Sequence, residues 1–215
     1  MDPLLKTPLS PLLGDARLRM YQKGQIIIYQ GDIPTNIFAL KSGEVKMYDV
    51  DEQGNEKILH ILRPPAIVPF ACYTGKKAEI MWFYAALTDV EVYAFTLADL
   101  KLHMESDKEL DLYLLDTIVR ETHELFVRLN SMSKTTTRSK LVAALKFLGV
   151  HHSEARKNGW RRVTFTINHQ LLADMAGITR ESTAVAMKQF QEEHITRSPR
   201  IGILEINFEK LIAHV

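Results

Sequence analysis

Residues 168–191 read NHQLLADMAGITRESTAVAMKQFQ. Leu171, Leu172 and Met175 fall on one helical face behind Asn168, a favoured N-cap residue, so the spacing predicts a short helix over His169–Met175. Ala176-Gly177-Ile178 follows as a tight turn, with glycine where a left-handed backbone is needed. A second helix is expected behind Thr179, burying Val185 or Ala186 together with Phe190. Two short helices joined by a glycine-containing turn form a helix-turn-helix, whose second helix enters the DNA major groove by its N-terminal end.

The polar residues stand where such docking needs them. Arg180 can donate two parallel hydrogen bonds to guanine O6 and N7, and Glu181 can accept from a cytosine amino group. Ala184 and Val185 can meet a thymine methyl. His169, Gln170, Thr179 and Ser182 lie near the two helix starts and Lys188 lies two turns on, all within reach of phosphates. Beyond Phe190, residues 195–206 read as a hairpin, a wing whose tip carries Arg197 and Arg200 for the backbone. A single Arg-Glu pair at a helix start is more often a solvated cap; the whole array shifts the reading towards DNA.

Working outward, Ser131–Thr137 (SMSKTTT) is a polar candidate hinge, and a helix with Leu141, Leu145 and Leu148 inward is expected to end at Gly149. His151–Trp160 reads as a polar connector, and Arg161–Ile167 as a half-buried strand with Val163, Phe165 and Ile167 inward. Residues 20–97 hold six short apolar runs, Gln25–Tyr29, Ile37–Lys41, Glu44–Tyr48, Lys57–Leu62, Phe83–Leu87 and Glu91–Phe95, separated by turn residues. Such a series builds a barrel or sandwich. Pro64-Pro65 and Pro69 interrupt it, because proline lacks a ladder donor. The expected class is α+β, with a strand-rich domain at 1–98, a long linking helix at 99–133 and a small basic domain at 134–215.

On the linking helix, Leu115, Ile118, Leu125, Leu129 and Met132, with Thr122 between, follow alternating steps of three and four, the seam of two helices packed lengthwise. Leu114, Val119 and Phe126 lie beside it and could pack on the chain's own strands. A homodimer is the favoured reading over one amphipathic helix covering a barrel.

Composition narrows the classes. The 215 residues are 46% hydrophobic and 25% charged, ordinary for a soluble globular protein. No apolar run approaches the length of a membrane helix, and the N-terminus lacks a secretory pattern, so a cytoplasmic protein is expected. Residues 1–133 carry 14 Lys+Arg against 19 Asp+Glu, and residues 134–215 carry 13 against 7, so an acidic front precedes a basic back of +6. No nucleophile–base set or phosphate-cradling glycine loop names a reaction, so no enzyme is expected. The lone Cys72 cannot supply a four-thiolate cluster, and no two of the eight histidines pair at helical spacing. No metal and no cofactor are therefore expected; haem on a single His or Cys72 stays open.

Two blocks resemble the CRP/FNR superfamily of bacterial transcription regulators. The first is Tyr21-Gln-Lys-Gly24, Tyr29-Gln-Gly31-Asp32, Lys41-Ser-Gly43-Glu-Val45-Lys46 and Gly54-Asn-Glu56-Lys57. The second is Leu172-Ala173, Gly177-Ile178-Thr179-Arg180-Glu181-Ser182 and Arg200-Ile201 ahead of Ile206. The resemblance implies a cyclic-nucleotide-binding type barrel (a double-stranded β-helix, or jelly roll), a dimerisation helix and a winged helix-turn-helix. Its implied partners are a second copy, a two-fold symmetric operator in duplex DNA, and RNA polymerase.

The chain departs from the family at two places. Cyclic-nucleotide binders carry a Gly-Glu pair and an Arg followed by Ser or Thr, and here Pro69-Phe70 and Ile80-Met81 align with them. Without that cation a buried phosphate would be unpaired, so cyclic AMP is not expected in the usual pose. Phe70, Tyr73, Trp82, Phe83 and Tyr84 around Cys72 form an aromatic lining, either for an apolar effector or as a filled core. In the second helix, Val185 stands where members that read two guanines carry a second Arg. Val185 and the modest charge also support a rival reading, a ligand-binding or protein-interaction module that no longer grips DNA.

Overall fold

The structure is a computed structural model that describes residues 2–72 and 79–213, without the side chain of Cys72. Its contacts divide the chain into two units, Met1–Asp49 with Ile58–Leu125, and Val50–Lys57 with Phe126–Val215. No helix among the described residues is long and apolar enough to cross a membrane.

The first unit opens with a 3-10 turn at Pro3–Lys6 and α1 at Ser10–Leu13. Among the described residues eight strands follow: β1 (Arg17–Tyr21), β2 (Ile26–Ile28), β3 (Asn36–Ser42), β4 (Val45–Val50), β5 (Glu56–Leu62), β6 (Ile67–Val68), β7 (Phe83–Ala86) and β8 (Val90–Thr96). They form two four-stranded sheets, ordered β1-β8-β3-β6 and β2-β7-β4-β5. This is the jelly-roll arrangement expected of the N-terminal domain. Between the sheets lie Phe38, Leu40, Val45, Met47, Tyr84 and Val92. The other face of β3 offers Ile37 and Ala39 to Leu4, Leu9 and Leu12 of the N-terminal segment and to Leu97, Leu100, Leu110 and Leu114. Burial on both faces is why this strand reads as unbroken apolar sequence instead of alternating.

Two strands lie outside the six apolar runs. β1 reads RLRMY and is mostly exposed, so it has no apolar face to advertise, yet it pairs with β8 from Arg17↔Ala94 to Tyr21↔Val90. β6 is two residues long between prolines and pairs at the sheet edge, Phe38↔Val68 and Ala39↔Ile67.

The stretch expected as one linking helix is two, α2 (Leu97–Ser106) and α3 (Lys108–Met132). Asp107 divides them: its Oδ1 accepts the backbone N–H groups of Glu109 and Leu110 at 2.9 and 3.3 Å, a cap for the second helix. On α3 the expected seam is shifted. Ile118 and Leu125 pack against the barrel's own cores and Met132 is half-buried, so these three leave the free face. Leu112, Leu115, Val119, Phe126 and Leu129 are exposed instead, with exposed Thr122 in step among them. Both registers satisfy steps of three and four; packing on the barrel selects between them.

The second unit adds α4 (Thr137–His151), β9 (Ser153–Ala155), β10 (Trp160–Val163), α5 (His169–Ala176), α6 (Arg180–Glu192), β11 (Thr196–Arg197), β12 (Glu205–Asn207) and α7 (Phe208–Ala213), with a sheet ordered β11-β12-β10-β9. The helix expected to stop at Gly149 continues to His151, and the expected connector contains β9. His152 is buried against Phe147 and Phe165, with ring centroids at 5.3 and 5.8 Å. The strand expected over Arg161–Ile167 is confined to Trp160–Val163; beyond it the chain bends, yet Phe165 and Ile167 stay buried with Val163 while Thr164 and Thr166 are exposed, as the alternation in the sequence implied.

The turn that carries the chain from β3 in one sheet to β4 in the other passes through Gly43 at φ +84°, where an added Cβ would also collide with the Asp89 carbonyl oxygen. Gly43→Ala is expected to lose at least about 1–2 kcal/mol from the left-handed backbone alone, measured by denaturant unfolding.

Candidate nucleic-acid interface

The local geometry of α5 and α6 follows from three residues. The Asn168 side-chain oxygen accepts the Leu171 N–H at 2.8 Å and starts α5. Gly177 ends it at φ 62°, a conformation costly for residues with a Cβ. Thr179 Oγ1 accepts the Ser182 N–H at 3.2 Å and starts α6. Thr183, Ala186, Met187 and Phe190 then face inward on α6. Of the two alternatives for its apolar side, Ala186 is the buried one and Val185 is 62% exposed.

Arg180, Glu181, Ala184, Val185 and Lys188 fall together on the outward side of α6, with Ala184 half-buried. Among the described residues, no hydrogen bond or ion pair holds the Arg180 or Lys188 side chain. A cation in the first turn of a helix is opposed by the backbone dipole, whereas Glu181 is favoured there. Arg180 is thus poorly placed for stability and well placed to meet an incoming polar edge.

The other candidates divide. A cleft of about 710 Å³ brings His169, Gln170 and Arg180 together with Gln191, Ser198 and Ile201. The Gln170 amide donates to Asp174 Oδ1 at 2.7 Å. Thr179 and Ser182 spend their side chains on the helix cap, with hydroxyls 3.0 Å apart. Arg200 is exposed at the wing turn, but Arg197 lies on β11, outside the tip. Its Nε donates to Glu205 Oε2 at 2.6 Å, and its guanidinium stacks 4.1 Å from the Trp160 ring centre. Arg162 holds the other oxygen of the same buried carboxylate at 2.8 Å. The expected two-arginine tip is therefore Arg200 followed by Ile201, which is fully exposed. Neither point was legible along the chain, since the Glu205 partnership depends on cross-strand pairing and Ile201 resembles any wing-strand residue.

Arg128 on α3 lies outside the sequence expectations altogether. It is 1% exposed, donates through Nη2 to the Met175 carbonyl at 2.7 Å and lies 5.2 Å from the Phe147 ring centre. Burial pushes its pKa down to about 10, so it remains charged at neutral pH. In the first unit, Phe70 meets Tyr84 edge-on at 6.5 Å, Tyr84 is buried, and Trp82 packs on the inter-sheet core. Phe83 turns to the opposite side and stacks on Tyr48 at 5.3 Å, so the aromatic run does not form one lining. Tyr73 and the Cys72 side chain lie outside the described residues.

Comparison with known proteins agrees with this layout. The cyclic nucleotide-binding domain family matches residues 18–107, and the Crp-like helix-turn-helix domain family matches residues 139–213. An anaerobic regulatory protein of Haemophilus influenzae is 25% identical over 201 residues, spanning 88% of this chain and 76% of its own length. The HTH-type transcriptional regulator ArcR of Staphylococcus epidermidis is 26% identical over 193 residues, spanning 87% and 81%. Among solved structures, a CRP/FNR-family transcriptional regulator from Thermus thermophilus has a TM-score of 0.73 at 21% identity, covering 92% of this chain and 97% of its own. A CooA mutant from Carboxydothermus hydrogenoformans reaches 0.78 at 18% identity, covering 100% and 95%.

Glu205 gives the wing a pH dependence. Burial works to raise its carboxyl pKa, but the hydrogen bonds from Arg197 and Arg162 outweigh it and hold the group below the usual carboxylate range. Such a group stabilises the fold above its unfolded pKa of about 4.3 and loses that contribution as pH falls through the lower folded value. Glu205→Gln is expected to melt below the parent at neutral pH, with the gap closing below about pH 4.3; melting temperatures across the pH range check this.

Proposed function

The chain joins a cyclic nucleotide-binding domain to a Crp-like helix-turn-helix domain and belongs to the CRP/FNR superfamily of transcription regulators, and on that premise we propose that it is a homodimer that reads a two-fold symmetric DNA operator. The observation that carries this reading is the outward side of α6, where Arg180, Glu181, Ala184, Val185 and Lys188 are gathered on a helix whose opposite side is buried. In the proposed complex Arg180 reads guanine O6 and N7, Glu181 accepts from a cytosine amino group, and Ala184 and Val185 touch a thymine methyl. His169, Gln170, Lys188 and Arg200 contact phosphates. Arg197 acts indirectly, setting the wing strand through Glu205.

The proposed partner for α3 is a second copy, seated along Leu112, Leu115, Val119, Thr122, Phe126 and Leu129. Two copies related by symmetry would place half-sites about 34 Å apart. Cyclic AMP in the usual pose is disfavoured, because the positions of the family's acid and cation are taken by Phe70, packed on Tyr84, and by buried Ile80.

Arg180→Ala is expected to weaken binding to a selected operator by about 1–3 kcal/mol and to relax preference at one base pair per half-site. Its fold should be no less stable, since the removed cation faced an unfavourable dipole. Binding titrations over an operator library check the first point; equal weakening on every sequence would assign Arg180 to a phosphate. Phe126→Glu is expected to yield monomers in sedimentation and to lose the rise of melting temperature with protein concentration that a dimer shows, while each chain keeps its fold because Phe126 is 65% exposed on it.

A further inference from the structure

Away from the reading helix, the first unit brings three metal-ligand side chains together. His60 lies on β5 and is 1% exposed, while Glu121 and Glu124 stand three residues apart on one side of α3. His60 Nε2 is 2.8 Å from Glu121 Oε2 and 3.7 Å from Glu124 Oε2, and the three ligand atoms all lie within 4.8 Å of one another. Donors bound at the usual distances around a tetrahedral zinc stand about 3.4 Å apart. The two separations from the imidazole bracket that value, and the two carboxylate oxygens lie no more than 4.8 Å apart.

The electrostatics favour the same occupant. Two carboxylates converge on one imidazole at a largely buried point, and Arg120 meets the other oxygen of Glu121, Oε1, at 3.4 Å. With the imidazole neutral, the four groups sum to a net negative charge, which a divalent cation would offset. Calcium and magnesium prefer oxygen alone, whereas an imidazole nitrogen suits zinc, iron, nickel and copper.

We propose that His60, Glu121 and Glu124 form a site for a divalent first-row transition cation of the zinc class. Three protein ligands leave a fourth position for water or a small anion, the arrangement of an open metal site. Because β5 supplies the imidazole and α3 supplies both carboxylates, the cation cross-links the barrel wall to α3. The alternative occupant of this space is no ion at all, the His60–Glu121 hydrogen bond being purely structural.

The test uses the full chain, stripped with a chelator and then given zinc or cobalt(II). Zinc is expected to stay bound through gel filtration at one per chain by elemental analysis and to raise the melting temperature. Cobalt is expected to give a visible d–d absorption band that zinc abolishes. Glu124→Gln should weaken zinc binding roughly tenfold or more, the loss that even outer-sphere mutations typically cause, and His60→Gln should abolish it. Glu124 is the less buried carboxylate, so its variant decides the matter should His60→Gln fail to fold. Absence of retained zinc overturns the proposal and leaves the hydrogen bond alone. Zinc held equally tightly by the Glu124→Gln chain also overturns it and places the metal elsewhere. Neither result depends on DNA binding.

Discussion

The buried Arg128 guanidinium is the contact on which the geometry of the second unit turns. A charge withdrawn from water is destabilising unless its donors are engaged and the surrounding field is favourable. Here Nη2 reaches the Met175 carbonyl near the C-terminal end of α5, where the helix dipole is negative, and the flat cation lies over Phe147 of α4. One side chain of α3 is thereby tied to both α4 and α5. The turn at Gly177 then hands that position on to α6. The last turns of α3 are thereby connected to α6 through Arg128, α5 and the Gly177 turn.

The second unit also separates charges paired within the fold from charges left for the proposed DNA contact. Arg138 forms two hydrogen bonds with Glu193 and lies 4.8 Å from the Phe190 ring centre, clamping the start of α4 to the end of α6. Arg162 and Arg197 share Glu205. Arg180, Lys188 and Arg200 take no part in these pairs. Counting arginines along the chain cannot distinguish the two groups, because the distinction lies in which carboxylate folding brings near.

What could be read from the sequence was what is written locally. Asn168, Gly177 and Thr179 announce helix boundaries through their own backbone chemistry, so the helix-turn-helix was legible within a residue or two. The strands with an apolar face were legible for the same reason. β1 was not, because its exposed residues carry no apolar pattern and its pairing partners on β8 are far along the chain. The side of α3 facing the barrel was ambiguous, since two registers meet the same heptad rule and only the three-dimensional neighbours of Ile118 and Leu125 select one. The meeting of His60 with Glu121, 61 residues apart, and of Arg197 with Glu205 across a hairpin are products of topology, invisible to spacing rules.

The two sides of α6 have a consequence for how such a protein can change over generations. Thr183, Ala186, Met187 and Phe190 anchor the helix, while Arg180, Glu181 and Val185 contribute little to its anchoring. Surface replacements away from special backbone positions usually alter folding free energy by less than about 0.5 kcal/mol. If the proposed reading of DNA by this side holds, new target preferences can therefore arise by single substitutions without passing through an unfolded ancestor. The scaffold is free to diversify its vocabulary while keeping its grammar.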